Sequence, residues 1–132
     1  GWIGVFNNNW DDTDRGALLG GSEIIGLQPH TDSLKVIYPT KASDPFYTPF
    51  LGKWQQLEGG NLLLTEGRAG RVVEVAPDGR TVWEWINARY DASRVVEVTE
   101  GTRHDLSSEQ IANWPCHSAR RSRQTDGETD ET

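Results

Sequence analysis

The sequence is short of cysteine, histidine, methionine and positive charge, and each shortage removes a class of reading. Its single cysteine, Cys116, rules out an intrachain disulfide framework. A c-type haem attachment would need another cysteine three positions earlier, where Asn113 stands. There are three histidines, His30, His104 and His117; only His117 adjoins the cysteine, in Trp-Pro-Cys-His, and a zinc site needs more ligands than that. Lys and Arg number 13 against 20 Asp and Glu, a formal net charge of −7. That balance speaks against nucleic acid and against anionic membrane as partners, since both need a positive surface, and it suits simple solubility. No apolar run nears the ~20 residues of a membrane span. No signal peptide is recognisable. The chain opens on Gly-Trp-Ile-Gly-Val-Phe with no initiator methionine, so we expect sequence upstream of it.

Glycine and tryptophan, by contrast, are plentiful: 14 and 6 in 132 residues. Hydrophobic residues make up 35%, enough for a core but not a generous one. A chain of this size buries roughly two thirds of its unfolded surface. Glycine, aromatics and many short apolar runs together read as all-β.

The runs fall at 1–6, 22–27 and 34–39, then at 53–57, 61–66, 71–75 and 80–86. Between them, residues 10–20 form an acidic, glycine-bounded loop, and 40–50 a proline-bearing connection over the surface. Pro77-Asp78-Gly79 suits a tight hairpin, because proline presets φ and Asp and Gly tolerate the turn. Val82, Glu84 and Ile86 alternate with Trp83 and Trp85 at the period of a strand. The five residues Arg71–Val75, RVVEV, recur at 94–98 and predict an eighth strand. Ser107, with Gln110 three residues on, has the spacing of a capping box and predicts a short helix. The tail from Ser118 is basic, then acidic, and is expected to be disordered or draped on a partner.

The halves echo one another. Gly1–Phe6 aligns with Gly60–Thr65, Ser22–Leu27 with Gly70–Val75, and Lys35–Tyr38 with Thr81–Glu84. Two unrelated hairpins in an ordinary sandwich would be the plainer reading. A repeat with about four strands per unit instead predicts antiparallel four-stranded propeller blades. This chain would hold about two of them, in the order partial blade (1–39), connection (40–52), blade and closing strand (53–99), then short helix and polar tail (100–132). Two blades cannot close a ring, which takes about four to eight. The expected partners are therefore the remaining blades, from an upstream chain or from identical copies; three copies would give six blades.

The stretch LEGGNLLLTEGRAGRVVEVAPDGRTVWEWIN (57–87) resembles the blade motif of arylsulfotransferase-like β-propellers. DPFYTPFLGKWQQL (44–57) is similar to the loop before such a blade, and GWIGVFNNN (1–9) resembles the end of a blade strand. The resemblance implies the C-terminal part of a longer propeller. It implies transfer of a sulfuryl group from an aryl sulfate to a phenol. The nucleophile would be a central histidine, with further histidines and an arginine holding the sulfate charge. Export to the periplasm or medium is implied as well. That histidine would sit just before the second blade's glycine-asparagine turn, where this chain has Gly52-Lys53, so none is expected to be catalytic here. The arginine after the second strand matches Arg68 or Arg71, and the first blade has Glu23 in the place of Arg71.

On the blade reading, Lys53, Gln55, Arg68 and Arg71 lie on or near inner strands and face a central channel, where they could meet an anionic small molecule. The plainer reading of Arg71 is a structural pair with Glu74 or a neighbouring carboxylate. His104, between Arg103 and Asp105, could join an anion site or be a loop residue before the helix. His30 reads as an exposed turn residue. Asp11, Asp12 and Asp14 offer oxygen ligands of the kind calcium takes, but the rest of an EF-hand is missing, and a solvated acidic loop is simpler. Trp54, Trp83 and Trp85 read as packing between blades rather than a sugar platform. No cofactor is expected.

Overall fold

The computed structural model describes residues 1–10 and 21–115. The acidic loop with Asp11, Asp12 and Asp14, and the tail with Cys116 and His117, lie outside the described residues. The seven strands expected in the two halves form two antiparallel sheets. The first has the order β1 (Ile3–Asn7), β2 (Glu23–Gln28), β3 (Ser33–Tyr38). The second has the order β4 (Gly52–Gln56), β5 (Leu62–Glu66), β6 (Arg71–Val75), β7 (Thr81–Ile86). Each is a meander in which neighbours in sequence are neighbours in space. A helix α1 (Ser108–Ala112) follows, capped as its sequence predicts: Ser107 Oγ accepts from the Gln110 N–H at 3.1 Å, and Gln110 Oε1 accepts from the Ser107 N–H at 2.8 Å.

Local chemistry sets the turns. In the β6–β7 hairpin the Ala76 N–H donates to the Arg80 carbonyl at 2.9 Å and the Gly79 N–H to the Ala76 carbonyl at 2.8 Å. Gly79 has φ +91°, which a side chain would strain.

The sheets stack face to face. Phe6, Ile24, Ile37 and Tyr38 of the first pack on Leu62, Leu64, Val73, Val75 and Trp54 of the second, with Phe46 from the connection between them. Phe46 meets Phe6 and Tyr38 edge-on, at ring-centre distances of 6.1 and 5.7 Å. β1 and β4 abut through a reciprocal fit. The ring of Trp54 lies where a Cβ on Gly4 would be, and the ring of Phe6 lies where a Cβ on Gly52 would be. β5 is covered on both faces and all five of its residues are buried, so it opens on three successive leucines rather than an alternating pattern before Thr65 and Glu66.

Each sheet carries a bulge in its last strand. In the first, Ile25 pairs with Val36 but Ile24 with Tyr38, so Ile37 is the extra residue. In the second, Val75 pairs with Thr81 but Glu74 with Trp83, so Val82 is extra. Cross-strand pairing therefore equates Leu34 with Thr81, Val36 with Glu84 and Tyr38 with Trp85. This corrects the sequence alignment of Lys35–Tyr38 with Thr81–Glu84.

The repeated RVVEV at 94–98 does not form the expected eighth strand. It makes one isolated bridge, Arg89 to Val95. The reason is its surroundings. A hairpin pinned by Asp91, which accepts from the Ser93 and Arg94 N–H groups at 2.9 Å each, turns the chain back. The chain then runs past the Gly67–Gly70 turn, where the Val98 N–H donates to the Gly67 carbonyl at 3.1 Å.

Leu64 and Val73 sit at the centre of the stack, 0% and 1% exposed. Leu64→Ala is expected to cost about 3 kcal/mol, the usual loss for a methylene-rich side chain that leaves a cavity. Urea denaturation followed by tryptophan fluorescence measures it.

Candidate functional site

The residues singled out in the sequence separate onto the two faces of the second sheet. Lys53 and Gln55 project from β4 on the face away from the first sheet. Arg71 projects from β6 toward the stack, and Arg68 lies in the β5–β6 turn.

Arg71 is a three-way clamp. Its Nε donates to Glu66 Oε2 at 2.6 Å, its Nη1 to Glu84 Oε1 at 2.9 Å, and its Nη2 to the Pro45 carbonyl at 3.0 Å. The partners are Glu66 and Glu84; Glu74, the carboxylate named for it from the sequence, points to the other face and meets Arg103. Glu66 is buried, and its Oε1 accepts from the Tyr47 N–H at 2.7 Å. Burial works against the Arg71 charge, but the Glu66 carboxylate and the bonds to Glu84 and Glu66 outweigh it and hold the guanidinium above its ordinary pKa. The clamp ties β5, β6 and β7 to the connection. One signal in the sequence announces it: Glu66 and Arg71 close a tight hairpin and stand directly opposite. Arg71→Ala leaves Glu66 buried without its counter-charge and is expected to destabilise the fold by about 3 kcal/mol. Arg71→Lys, which keeps the charge but loses the fork, recovers only part of that; paired urea titrations compare them.

Arg68 is half exposed, 3.3 Å from Glu97 and with its guanidinium 4.9 Å over the Phe50 ring. His104 is exposed, as is His30. Among the described residues, no three His, Cys, Asp or Glu side chains gather to hold a metal, and no helix is long and apolar enough to cross a membrane.

Lys53 and Gln55 are gripped by a strap, residues 98–103, that the sequence did not reveal. Lys53 Nζ pairs with Glu100 and donates to Thr102 Oγ1 at 2.8 Å. Gln55 donates to the Arg103 carbonyl at 3.0 Å and accepts from the Arg103 N–H at 2.9 Å. The Gly101 N–H donates to the buried Thr65 hydroxyl at 2.9 Å, and Arg103 Nη1 reaches Glu74 Oε2 at 2.6 Å. Between strap and sheet lies a cavity of ≈ 500 Å³ floored by Leu63, Val72, Trp83 and Trp85. The two tryptophans remain 49% and 44% exposed, whereas Trp54 packs on the core.

The seven strands, the two-sheet stack and the clamp now stand beside one comparison. A family model described as arylsulfotransferase (ASST) matches residues 1–89. The chain belongs to the arylsulfotransferase family. The matched stretch holds every strand of both sheets, while the strap and α1 lie beyond it. Comparisons with curated proteins and with solved structures gave no match.

Glu100 is the strap's exposed anchor. A hydrogen bond from Lys53, then one from Thr102, then the Lys53 charge hold its carboxyl below the usual range. A depressed carboxyl supports the closed strap fully above its unfolded pKa and loses that support as pH falls through the depressed value. Lys53, Arg103 and Glu74 complete the charges at this contact. Acrylamide quenching of tryptophan is therefore expected to stay constant from neutral pH down to about 4.5 and to rise below it. Glu100→Gln should remove most of that change.

Proposed function

We propose that this chain supplies two blades of an arylsulfotransferase-type propeller and does not transfer sulfuryl groups by itself. The observation that carries this reading is what stands at the start of β4. The resemblance puts the sulfate-accepting histidine there, and this chain has Gly52 and Lys53. Gly52 lies against the Phe6 ring, and Lys53 is occupied by Glu100 and Thr102. Neither is a group that could carry sulfate in place of an imidazole: glycine has no side chain, and the Lys53 amine is taken up by its ion pair with Glu100 and its bond to Thr102. The cations that could hold an anionic substrate are also engaged, Arg71 by Glu66 and Glu84 and Arg103 by Glu74. An anion would have to displace a carboxylate to bind there.

The exposed apolar side chains support the blade reading. Ile3, Val5, Leu34 and Val36 line one face of the first sheet at 45–68% exposure. Large apolar faces of this kind mark a surface that another element covers. On this reading further polypeptide supplies the remaining blades; identical copies closing the ring are the second reading, and the match between the two outer faces set out below supports it.

The chain alone, given 4-nitrophenyl sulfate and a phenol acceptor, is expected to release nitrophenol no faster than a protein-free blank. Release above the blank that survives repurification would overturn the reading.

A further inference from the structure

The two outer faces of the stack are not alike, and the cross-strand registers say what each is. Ile3, Val5, Ile25 and Leu27, on the outer face of the first sheet, occupy the positions that Leu62, Leu64, Val73 and Val75 occupy in the second. Those four are buried, because a neighbouring sheet covers them. On the opposite side, Phe6, Ile24 and Tyr38, which do the covering, correspond to Thr65, Val72 and Trp85. These lie beneath the strap. Each copy thus carries one face that receives a sheet and one face that covers a sheet, and its own strap occupies the second.

The strap is a poor substitute for a sheet. Its residues, Val98 to Arg103, include one apolar side chain. It holds on through the Lys53–Glu100 and Arg103–Glu74 ion pairs and the bonds to Gln55 and Thr65. It leaves a cavity and two half-exposed tryptophans under it. Exposed ion pairs are weak anchors, whereas burying tryptophan against an apolar sheet is strongly favourable.

We infer that the strap is an autoinhibitory contact: it blocks the Trp83–Trp85 face of the second sheet from docking on the outer face of the first sheet of a second copy. Release of the strap permits head-to-tail association. The inference rests on the reading that the chain supplies sheets to a larger assembly, and it adds a control on that assembly.

The test uses the full chain and two loosened forms. One is the double variant Lys53→Met with Glu74→Gln, which cuts both ion pairs and leaves Asn61 its acceptor at residue 74. The other is Gly101→Leu, whose side chain would meet the Val72 methyls at about 3 Å. Hydrogen exchange over 98–103 reports the strap, and sedimentation velocity reports association. The unaltered chain is expected to sediment as one chain with 98–103 protected. Both variants should exchange there at least ~10-fold faster and sediment as two or more chains. Adding Val5→Glu, at the receiving-face position that matches the fully buried Leu64, should return them to one chain. A freed strap with no association overturns the inference, as does association that survives Val5→Glu. So does an unaltered chain already associated with its strap protected, or a strap that neither variant loosens. Turnover of 4-nitrophenyl sulfate by the chain alone would instead sink the earlier reading and would not move these measurements.

Discussion

Everything in the described structure depends on how closely β1 and β4 approach. Two sheets with side chains at every position would stand about 10 Å apart. Here each strand offers a glycine to the other's aromatic ring, Gly4 to Trp54 and Gly52 to Phe6. That reciprocal fit closes the innermost edge of the stack and lets Phe46 wedge in from the connection. With the sheets so joined, one face of β5 and β6 becomes the core, and Arg71 comes within reach of Glu66, Glu84 and Pro45. The opposite face of the second sheet is left for the strap. Gly52 thus performs a packing role at a place where family resemblance suggests chemistry.

The polar residues fall into two groups with different duties. The Glu66–Arg71–Glu84 set is internal and fastens the connection to the sheet. The Lys53–Glu100 and Glu74–Arg103 pairs are external and fasten a segment that lies beyond the part matching the arylsulfotransferase family. The family match covers the stacked sheets and stops before the strap.

Much of the fold was legible because its signals are local. Period-two alternation, Pro77-Asp78-Gly79 and the Ser107–Gln110 box each act within a few residues, and the strands, turn and helix follow them. The strap was hidden because nothing local marks it: Gln55 and Arg103 are 48 residues apart, and polar residues on a loop look solvated until a sheet face is beneath them. RVVEV shows the same limit from the other side. At 71–75 it is a central strand; at 94–98 the same five residues follow a tight hairpin, run past the Gly67–Gly70 turn and stay irregular. Of the candidate site, the Glu66–Arg71 pair could be read from the hairpin, whereas the partners of Lys53 and Gln55 could not.

The bulges bear on how such a repeat tolerates change. In β1 and β2, as in β5 and β6, the copies keep strict register, and a lost residue would turn every later side chain to the wrong face. The last strand of each sheet works differently. Its extra residue sits at Ile37 in one copy and Val82 in the other, on opposite sides of the matched pair Val36 and Glu84. The bulge has slid along the edge while Tyr38 and Trp85 kept their places. Each sheet thus has a slack length at its outer margin, where an insertion or deletion can be absorbed before it reaches the strands that hold the stack.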